Sequence, residues 1–193
     1  MQIEDIYKDL PTLETERLRL RKITSNDLED LFKYGSDPEV TKFVTWETHK
    51  TLSDSKAFID FALHQYEKNQ IAPWAIEYKQ NGKLIGTVDF VWWKPNHNSA
   101  EIGYVLSREY WGKGFMTEAV KRLITFGFEN MDLVRIQAKS FKDNIASERV
   151  MIKAGMVYEG THRKEMLVKG EHQDLKTHAI LKEDFYENEQ LSK

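Results

Sequence analysis

The sequence predicts a mixed α/β (α+β) fold, in which a mostly antiparallel sheet of about seven strands carries helices on both faces. Three observations predict it. Stretches of alternating apolar residues, typical of half-buried strands, are interspersed with stretches of helical period. The segment 80–83 (QNGK) joins two strands as a hairpin. A later strand–helix–strand order implies a parallel crossover, so the sheet should be mixed.

The first half of the chain is predicted to form one strand followed by two helices. Residues 17–23 (RLRLRKI) alternate Arg with Leu, which is the pattern of a half-buried strand. Each helix begins with a Thr and an Asp three residues apart, the spacing of a capping box. The helices and their boxes are 24–35 with Thr24 and Asp27, and 51–68 with Thr51 and Asp54.

The second half is predicted to be richer in strands. Asn81 and Gly82 form a strong hairpin signal between the first two of them. The predicted strands are 73–79, 83–93, 99–107, 133–141, 156–170 and 171–181, and the predicted helices are 114–130 and 144–155.

The composition is that of one globular domain over residues 1–193, with a polar tail expected to fray from about residue 185. A net charge of -3 favours no nucleic-acid partner. The absence of Cys excludes disulfides, thiolate zinc sites and a cysteine nucleophile, and the six His show no ligand spacing, so we expect no metal. The N-terminal residues do not form a secretory signal, and no apolar run approaches the ~18 residues of a membrane span. A cytoplasmic protein without membrane contact is expected.

Two glycines precede a helix in the stretch 107–120 (SREYWGKGFMTEAV). The first turn of a helix has N–H groups without partners and a positive partial charge, so a bare glycine backbone leading into it suits a phosphate. The alternative is that Gly112 and Gly114 only permit a tight turn. The Walker and dinucleotide glycine patterns do not fit here, which argues against a nucleotide-binding protein.

The segments 110–120 (YWGKGFMTEAV) and 143–160 (DNIASERVMIKAGMVYEG) resemble the GCN5-related N-acetyltransferase (GNAT) superfamily. Through 14–23, 100–106 and 170–181 the chain resembles the branch that acetylates ribosomal-protein N-termini. The resemblance implies a GNAT-type sheet, acetyl-CoA as co-substrate and a primary amine as acceptor. The residues that it implies for coenzyme binding are Tyr104, Val105, Leu106, Trp111, Gly112, Lys113, Gly114, Phe115, Met116, Thr117, Asn144 and Ser147.

Acetyl transfer to an amine needs a proton acceptor and a stabilised leaving thiolate. Glu101 is the candidate base, directly or through water; alternatively it is an ordinary solvated carboxylate. The Tyr that usually protonates the thiolate in the superfamily corresponds to Met151, which cannot do so. The resemblance implies that the Ser147 hydroxyl lies near the thioester sulfur, which makes it the candidate acid, directly or through water, with plain surface exposure as the alternative. The resemblance also implies that Asn144 contacts pantetheine, with helix capping as the alternative.

Four residues are candidates for binding the amine acceptor: Trp46, Asp89, Trp92 and Arg163. The tryptophans could line the acceptor cleft, with core packing as the alternative. Alternation along the strand predicts that Asp89 faces the same way as Trp93 and could hold a cationic amine, although an exposed strand carboxylate is the favoured reading. By resemblance, Arg163 lies where the branch binds acceptor groups, with a solvated hairpin as the favoured alternative.

Three functions stay open at this point. The first is an N-acetyltransferase acting on a protein N-terminal α-amine, as in ribosomal-protein-alanine acetylation, or on a small amine such as a polyamine, amino acid or antibiotic. The second is a non-catalytic acyl-CoA sensor, which Met151 favours. The third is a nucleotide-binding or interaction protein. Exposed strand edges could also pair two copies into a homodimer.

Overall fold

A computed structural model describes residues 1–191, and its centre is one eight-stranded sheet. The strands are β1 (Leu13–Glu14), β2 (Leu18–Lys22), β3 (Trp74–Tyr78), β4 (Lys83–Lys94), β5 (Ser99–Leu106), β6 (Arg135–Phe141), β7 (Val157–Val168) and β8 (Glu171–Leu181). Their order across the sheet is β1-β2-β3-β4-β5-β6-β8-β7. All neighbours are antiparallel except β5 and β6, which are parallel. The mixed, mostly antiparallel sheet that the sequence predicts is therefore confirmed.

Helices cover both faces of the sheet. They are α1 (Ile3–Tyr7), α2 (Leu28–Gly35), α3 (Pro38–Thr41), α4 (Leu52–Glu67), α5 (Phe115–Asn130), α6 (Ile145–Lys153) and α7 (Lys182–Leu191). The larger core packs α5 and α1 against one face, and a smaller core packs α2 and α4 against the other. Both predicted capping boxes are present, Thr24 with Asp27 ahead of α2 and Thr51 with Asp54 at α4.

Four short or terminal elements differ from the sequence prediction, and one of them is the five-residue helix α1, which was not predicted. Strand β1 has only two residues, which are too few to show a period, so the sheet has eight strands rather than about seven. Helix α3 has only four residues and is missed for the same reason. The tail forms helix α7, where fraying was expected from about residue 185. The ring of Phe185 packs there on Phe128, with 5.4 Å between the centroids.

A split in the sheet positions the functional site. Strands β5 and β6 pair only where Ser99–Ile102 faces Arg135–Ala138. Beyond that point β5 stays bonded to β4 as far as Leu106, and β6 stays bonded to β8 as far as Phe141. The ends of β5 and β6 therefore lead away from their short paired region, into α5 and α6 respectively. Among residues 1–191, no helix is long and apolar enough to cross a membrane.

Candidate active site

A cavity of about 1020 Å³ opens at the split between β5 and β6. Its walls come from β4, β5, the turn into α5, the end of β6, the start of α6 and the segment 39–49 around the end of α3. The coenzyme candidates that line it are Tyr104, Val105, Leu106, Trp111, Gly112, Gly114, Phe115, Met116, Thr117, Asn144 and Ser147. Lys113 does not line it, because its ammonium group turns away and donates to the carbonyl oxygen of Glu109 over 2.8 Å.

The turn into α5 has a backbone that glycine alone adopts easily. Gly112 and Gly114 have φ angles of 73° and 81°, in the left-handed region, so the tight-turn explanation of these glycines holds. The same turn also suits an anion. No atom lies within 4 Å of a Cβ placed on Gly112, and no side chain caps the N-terminus of α5. The first-turn N–H groups and their positive partial charge therefore border the cavity, and the turn fits the pyrophosphate of a coenzyme.

The connection between β1 and β2 holds this turn in place through a set of hydrogen bonds that the sequence does not predict. The Glu118 carboxylate accepts hydrogen bonds from the main-chain N–H of Arg17 at 2.9 Å, from Arg17 Nε at 2.7 Å and from the Thr15 hydroxyl at 2.5 Å. The Arg17 guanidinium also donates to the carbonyl oxygen of Lys113 over 3.0 Å and lies 4.2 Å from the Phe115 ring centroid. Although burial opposes ionisation, these hydrogen bonds hold the pKa of Glu118 below its usual value. The partners are about a hundred residues apart, so no local pattern reveals them.

The start of α6 places the hydroxyl group of Ser147 beside that of Tyr104 from β5, and these two groups form the hydroxyl pair of the cavity wall. Asn144 caps the helix, since its side-chain oxygen accepts from the N–H of Ser147 at 3.1 Å, and it lines the cavity as well. The Tyr104 hydroxyl lies 2.9 Å from Ser147 Oγ and donates to the Ser147 carbonyl over 3.1 Å. Burial raises the pKa of Tyr104 to about 12. Met151 is 0 % exposed and faces the core, so its position contributes nothing to the cavity.

Glu101 is held by a chain of polar side chains across the split strands. It pairs in register with Gln137 of β6, whose side-chain N–H donates to a Glu101 carboxylate oxygen at 2.7 Å. The side-chain oxygen of Gln137 accepts from Arg135 at 3.1 Å, and Arg135 is ion-paired with Glu159 at 2.5 Å. Glu101 is half-buried on the cavity wall, so it is not the freely solvated strand carboxylate of the alternative reading.

A β-bulge changes which residues of β4 face the cavity. Phe90 pairs with Ile102 and Trp92 with Glu101, so Val91 is one extra residue without a partner on β5. One extra residue reverses the alternation beyond it. Trp92 therefore takes the face of Asp89, while Trp93 is 5 % exposed in the core. The expectation that Asp89 and Trp93 share a face is wrong for this reason.

The four acceptor candidates separate into two groups. Trp46 and Asp89 line the cavity, whereas Trp92 and Arg163 do not. The Trp92 ring lies 4.6 Å from the Lys94 ammonium. Arg163 borders a separate depression formed with two neighbours on the β7–β8 hairpin, Lys164 and Asp174.

The wall around Trp46 and Asp89 is mainly apolar. Trp46 packs on His49 with 4.9 Å between ring centroids, and His49 Nδ1 lies 2.7 Å from the Ser55 hydroxyl. Burial lowers the pKa of His49, and it raises the pKa of Asp89 to about 7. The exposed-carboxylate reading of Asp89 is therefore wrong, because the side chain is half-buried against this wall. His49 lies in a segment without periodicity, so the sequence offers no signal for it.

The match to a family model decides the class of protein. Residues 17–157 match the model described as an acetyltransferase (GNAT) domain. The chain belongs to the GNAT acetyltransferase family. The predicted resemblance is confirmed, and with it an acetyl-CoA-dependent N-acetyltransferase activity. The sensor and nucleotide-binding readings are set aside.

Relatives of known sequence or structure match nearly the whole chain. The uncharacterized N-acetyltransferase YoaA of Bacillus subtilis (strain 168) is 36% identical over 172 residues, which cover 89% of this chain and 97% of the relative. A GNAT-family acetyltransferase structure from Bacillus anthracis has a TM-score of 0.80 at 31% identity, covering 90% of this chain and 99% of that one. The ribosomal-protein-S5-alanine acetyltransferase structure from Vibrio fischeri has a TM-score of 0.76 at 25% identity, covering 90% and 98%.

Proposed function

We propose that this GNAT enzyme acetylates the α-amine of a protein or peptide N-terminus. The observation that carries the proposal is the wall formed by β4 and β5, where Asp89 and Glu101 face one cavity beside aromatic side chains. Two carboxylates in such a wall can bind an amine and accept its proton, and they are modest bases. The amine that suits them is one that loses its proton easily.

The proton balance favours an α-amine over an alkyl amine. Burial raises the pKa of Asp89 to about 7. Moving a proton to it from an α-ammonium group, with a pKa near 8, is uphill by about 1.4 kcal/mol. The same step from an alkylammonium group with a pKa near 10.4 is uphill by about 4.6 kcal/mol. The difference of about 3 kcal/mol corresponds to more than a hundredfold in rate if nothing else compensates. Similarity to the ribosomal-protein-S5-alanine acetyltransferase supports the same choice.

The other residues of the cavity serve the donor substrate. The pyrophosphate of acetyl-CoA lies against Gly112, Gly114 and the uncapped first turn of α5, and the pantetheine arm follows β5 along Tyr104–Leu106 into the split. The Ser147 hydroxyl donates to the leaving thiolate. Holding amine and thioester together in this way supplies several kcal/mol through proximity, which lessens the need for a strong acid.

The experiment is an acceptor panel with release of free coenzyme A thiol as the readout. It compares peptides beginning with Ala or Ser, the same peptides with blocked N-termini, an Nα-blocked lysine and spermidine. We expect turnover of the free peptides only, with mass spectrometry locating the acetyl group on the α-nitrogen. Higher kcat/KM for spermidine or the lysine side chain than for every peptide would overturn the proposal in favour of a small-amine acceptor.

A further inference from the structure

The side chain of Asp89 on β4 occupies space that is free because its cross-strand neighbour on β5 is a glycine. It pairs with Gly103 of β5, and a Cβ on Gly103 would lie 3.1 Å from an Asp89 carboxylate oxygen and 2.6 Å from Val91 Cγ2. Any larger residue at 103 would therefore push these side chains away. Gly103 itself lines the cavity between Glu101 and the Tyr104–Leu106 stretch of β5. The Asp89 carboxylate is thus next to the strand along which the donor arm is proposed to lie.

The two carboxylates of this wall have unlike surroundings. Glu101 accepts the N–H of Gln137 at 2.7 Å, a hydrogen bond that fixes its orientation. Asp89 forms no hydrogen bond or ion pair to any other side chain described in residues 1–187, and burial alone raises its pKa to about 7. Carboxylates whose environments differ in this way take different roles in a reaction.

No cation lies in contact with Asp89, among the side chains of residues 1–187, to offset its burial. The titratable groups that face it or share its cavity are Tyr7 of α1, Tyr34 of α2, Glu39 of α3, Lys42, His49, Tyr66 of α4, Glu101 and Tyr104 of β5, Tyr110, Lys139 of β6, and Arg149 and Lys153 of α6. Lys139 is bound to Glu165 at 2.5 Å. Burial lowers the pKa of His49.

We propose that Asp89 is the catalytic base that accepts the amine proton, while Glu101, oriented by Gln137, holds the incoming amine. The proposal rests on amine acetylation in this cavity. The Asp89 carboxylate takes one proton from the bound ammonium group, the neutral nitrogen attacks the thioester carbon, and the N–C bond forms. The tetrahedral intermediate collapses, the C–S bond breaks, and the thiolate leaves with its electron pair and takes a proton from water, while the second proton of the nitrogen passes to water. The Asp89 proton then passes to solvent, so the products are the amide and coenzyme A thiol.

The first test is independent of the acceptor. Protein labelled with 13C at the Asp carboxyl groups is titrated by NMR, with Asp89→Asn to assign the resonance and Asp60→Asn, an exposed residue of α4, as the matched control. We expect one resonance to titrate near pH 7, absent in Asp89→Asn and present in Asp60→Asn. If Asp89→Asn does not fold, Asp89→Ser gives the assignment. Titration of this resonance in the ordinary range of aspartate would overturn the proposal.

The second test uses whichever amine the acceptor panel shows to be turned over. A carboxylate base acts in its deprotonated form, so its contribution is present above its pKa and lost below. At pH 8 we expect kcat/KM to fall about 100-fold or more in Asp89→Asn. The ratio of the wild-type kcat/KM to that of the variant should fall about tenfold per pH unit below pH 7. Because ionisation of the amine affects both proteins equally, it cancels in this ratio. Asp60→Asn should match the wild type, and all variants should keep the thermal shift produced by coenzyme A.

The outcomes separate this proposal from the proposed function. Turnover of small amines alone would refute the N-terminal acceptor. The role of Asp89 would then be decided with a small amine, from the pH dependence of the ratio of wild-type to Asp89→Asn kcat/KM. A ratio for Asp89→Asn that does not change with pH, or one whose pH dependence appears in Glu101→Gln or His49→Gln instead, would overturn the assignment to Asp89.

Discussion

Gly112 could serve only the backbone conformation of the turn, or it could also leave room for the pyrophosphate of the coenzyme. One matched pair of variants separates these two roles. Gly112 has a φ of 73°, and no atom lies within 4 Å of the place that a Cβ would take there. Gly82, in the hairpin between β3 and β4, has a φ of 68° and equally open space, but it does not line the cavity. Alanine at either position meets the same backbone strain and no clash. Only Gly112→Ala places a methyl group beside the N-terminus of α5.

The stability cost of the two variants should be the same. A non-glycine residue in the left-handed region costs about 1–2 kcal/mol, which lowers Tm by roughly 2–8 °C in a chain of this size. The two variants should differ in their affinity for coenzyme A. If the methyl group displaces the pyrophosphate from one main-chain N–H, one hydrogen bond to a charged group is lost, about 1.5–3 kcal/mol. That corresponds to a Kd for coenzyme A about 10- to 150-fold higher in Gly112→Ala and unchanged in Gly82→Ala.

The assay is isothermal titration of each folded variant with coenzyme A, beside thermal unfolding without ligand. Unfolding shows whether the strain is matched, and the titration shows whether binding differs. Equal losses of stability together with a wild-type Kd in Gly112→Ala would refute the reasoning. The glycines of this turn would then serve backbone conformation alone.

Three further variants test single contacts of the site. Glu118→Gln should destabilise the fold by about 2 kcal/mol at pH 7, and chemical denaturation should show the loss shrinking below pH about 4.5, as the wild-type carboxylate protonates through its lowered pKa. Gln137→Leu should raise KM for the amine several-fold while the Kd for coenzyme A stays constant, since it frees Glu101 and does not touch the turn. Asn144→Ala should cost about 1 kcal/mol in thermal unfolding as a lost cap, and a rise in the Kd for coenzyme A beyond that would show contact with the pantetheine arm.

The sequence predicts those elements whose residues follow a local periodic pattern or a fixed short spacing. Alternation in 17–23 indicates β2, and the Thr–Asp spacings indicate both capping boxes, because these signals are local. The two residues of β1 carry no period, and the bulge at Val91 adds a single residue that alternation cannot show, so the faces of Trp92 and Trp93 are exchanged relative to the prediction.

In the site as well, features that lie within one segment are predicted from the sequence, whereas contacts between distant segments are not. The glycine turn lies within one segment and is predicted. The contacts of Arg17 with Glu118 and of Gln137 with Glu101 join positions 101 and 36 residues apart, and only the folded sheet brings them together. Asp89 is a candidate by residue type, but its burial depends on elements from other parts of the chain.

The hydroxyl pair of Tyr104 and Ser147 raises the question of which group protonates the thiolate now that Met151 faces the core. Burial raises the pKa of Tyr104 to about 12. A thiol has a pKa near 8.5, so proton transfer from Tyr104 to a thiolate is uphill by about 5 kcal/mol. Tyr104 is thus a poor acid, and the aliphatic hydroxyl of Ser147 is a still weaker one, so Ser147 donates a hydrogen bond to the thiolate while water supplies its proton. The Tyr104 hydroxyl lies 2.9 Å from Ser147 Oγ and fixes the rotation of the serine.

A positioning role for Tyr104 predicts a small effect with an unchanged pH profile. Tyr104→Phe removes only the hydroxyl, so kcat should fall less than about tenfold, the scale of one neutral hydrogen bond. The pH dependence of kcat between pH 6 and 10 should match the wild type, whereas Ser147→Ala should lower kcat further. A fall of a hundredfold or more in Tyr104→Phe, together with loss of an alkaline limb present in the wild type, would contradict this role. It would mean that the bound thioester lowers the pKa of Tyr104 enough to make it the acid that the helix position of Met151 does not supply.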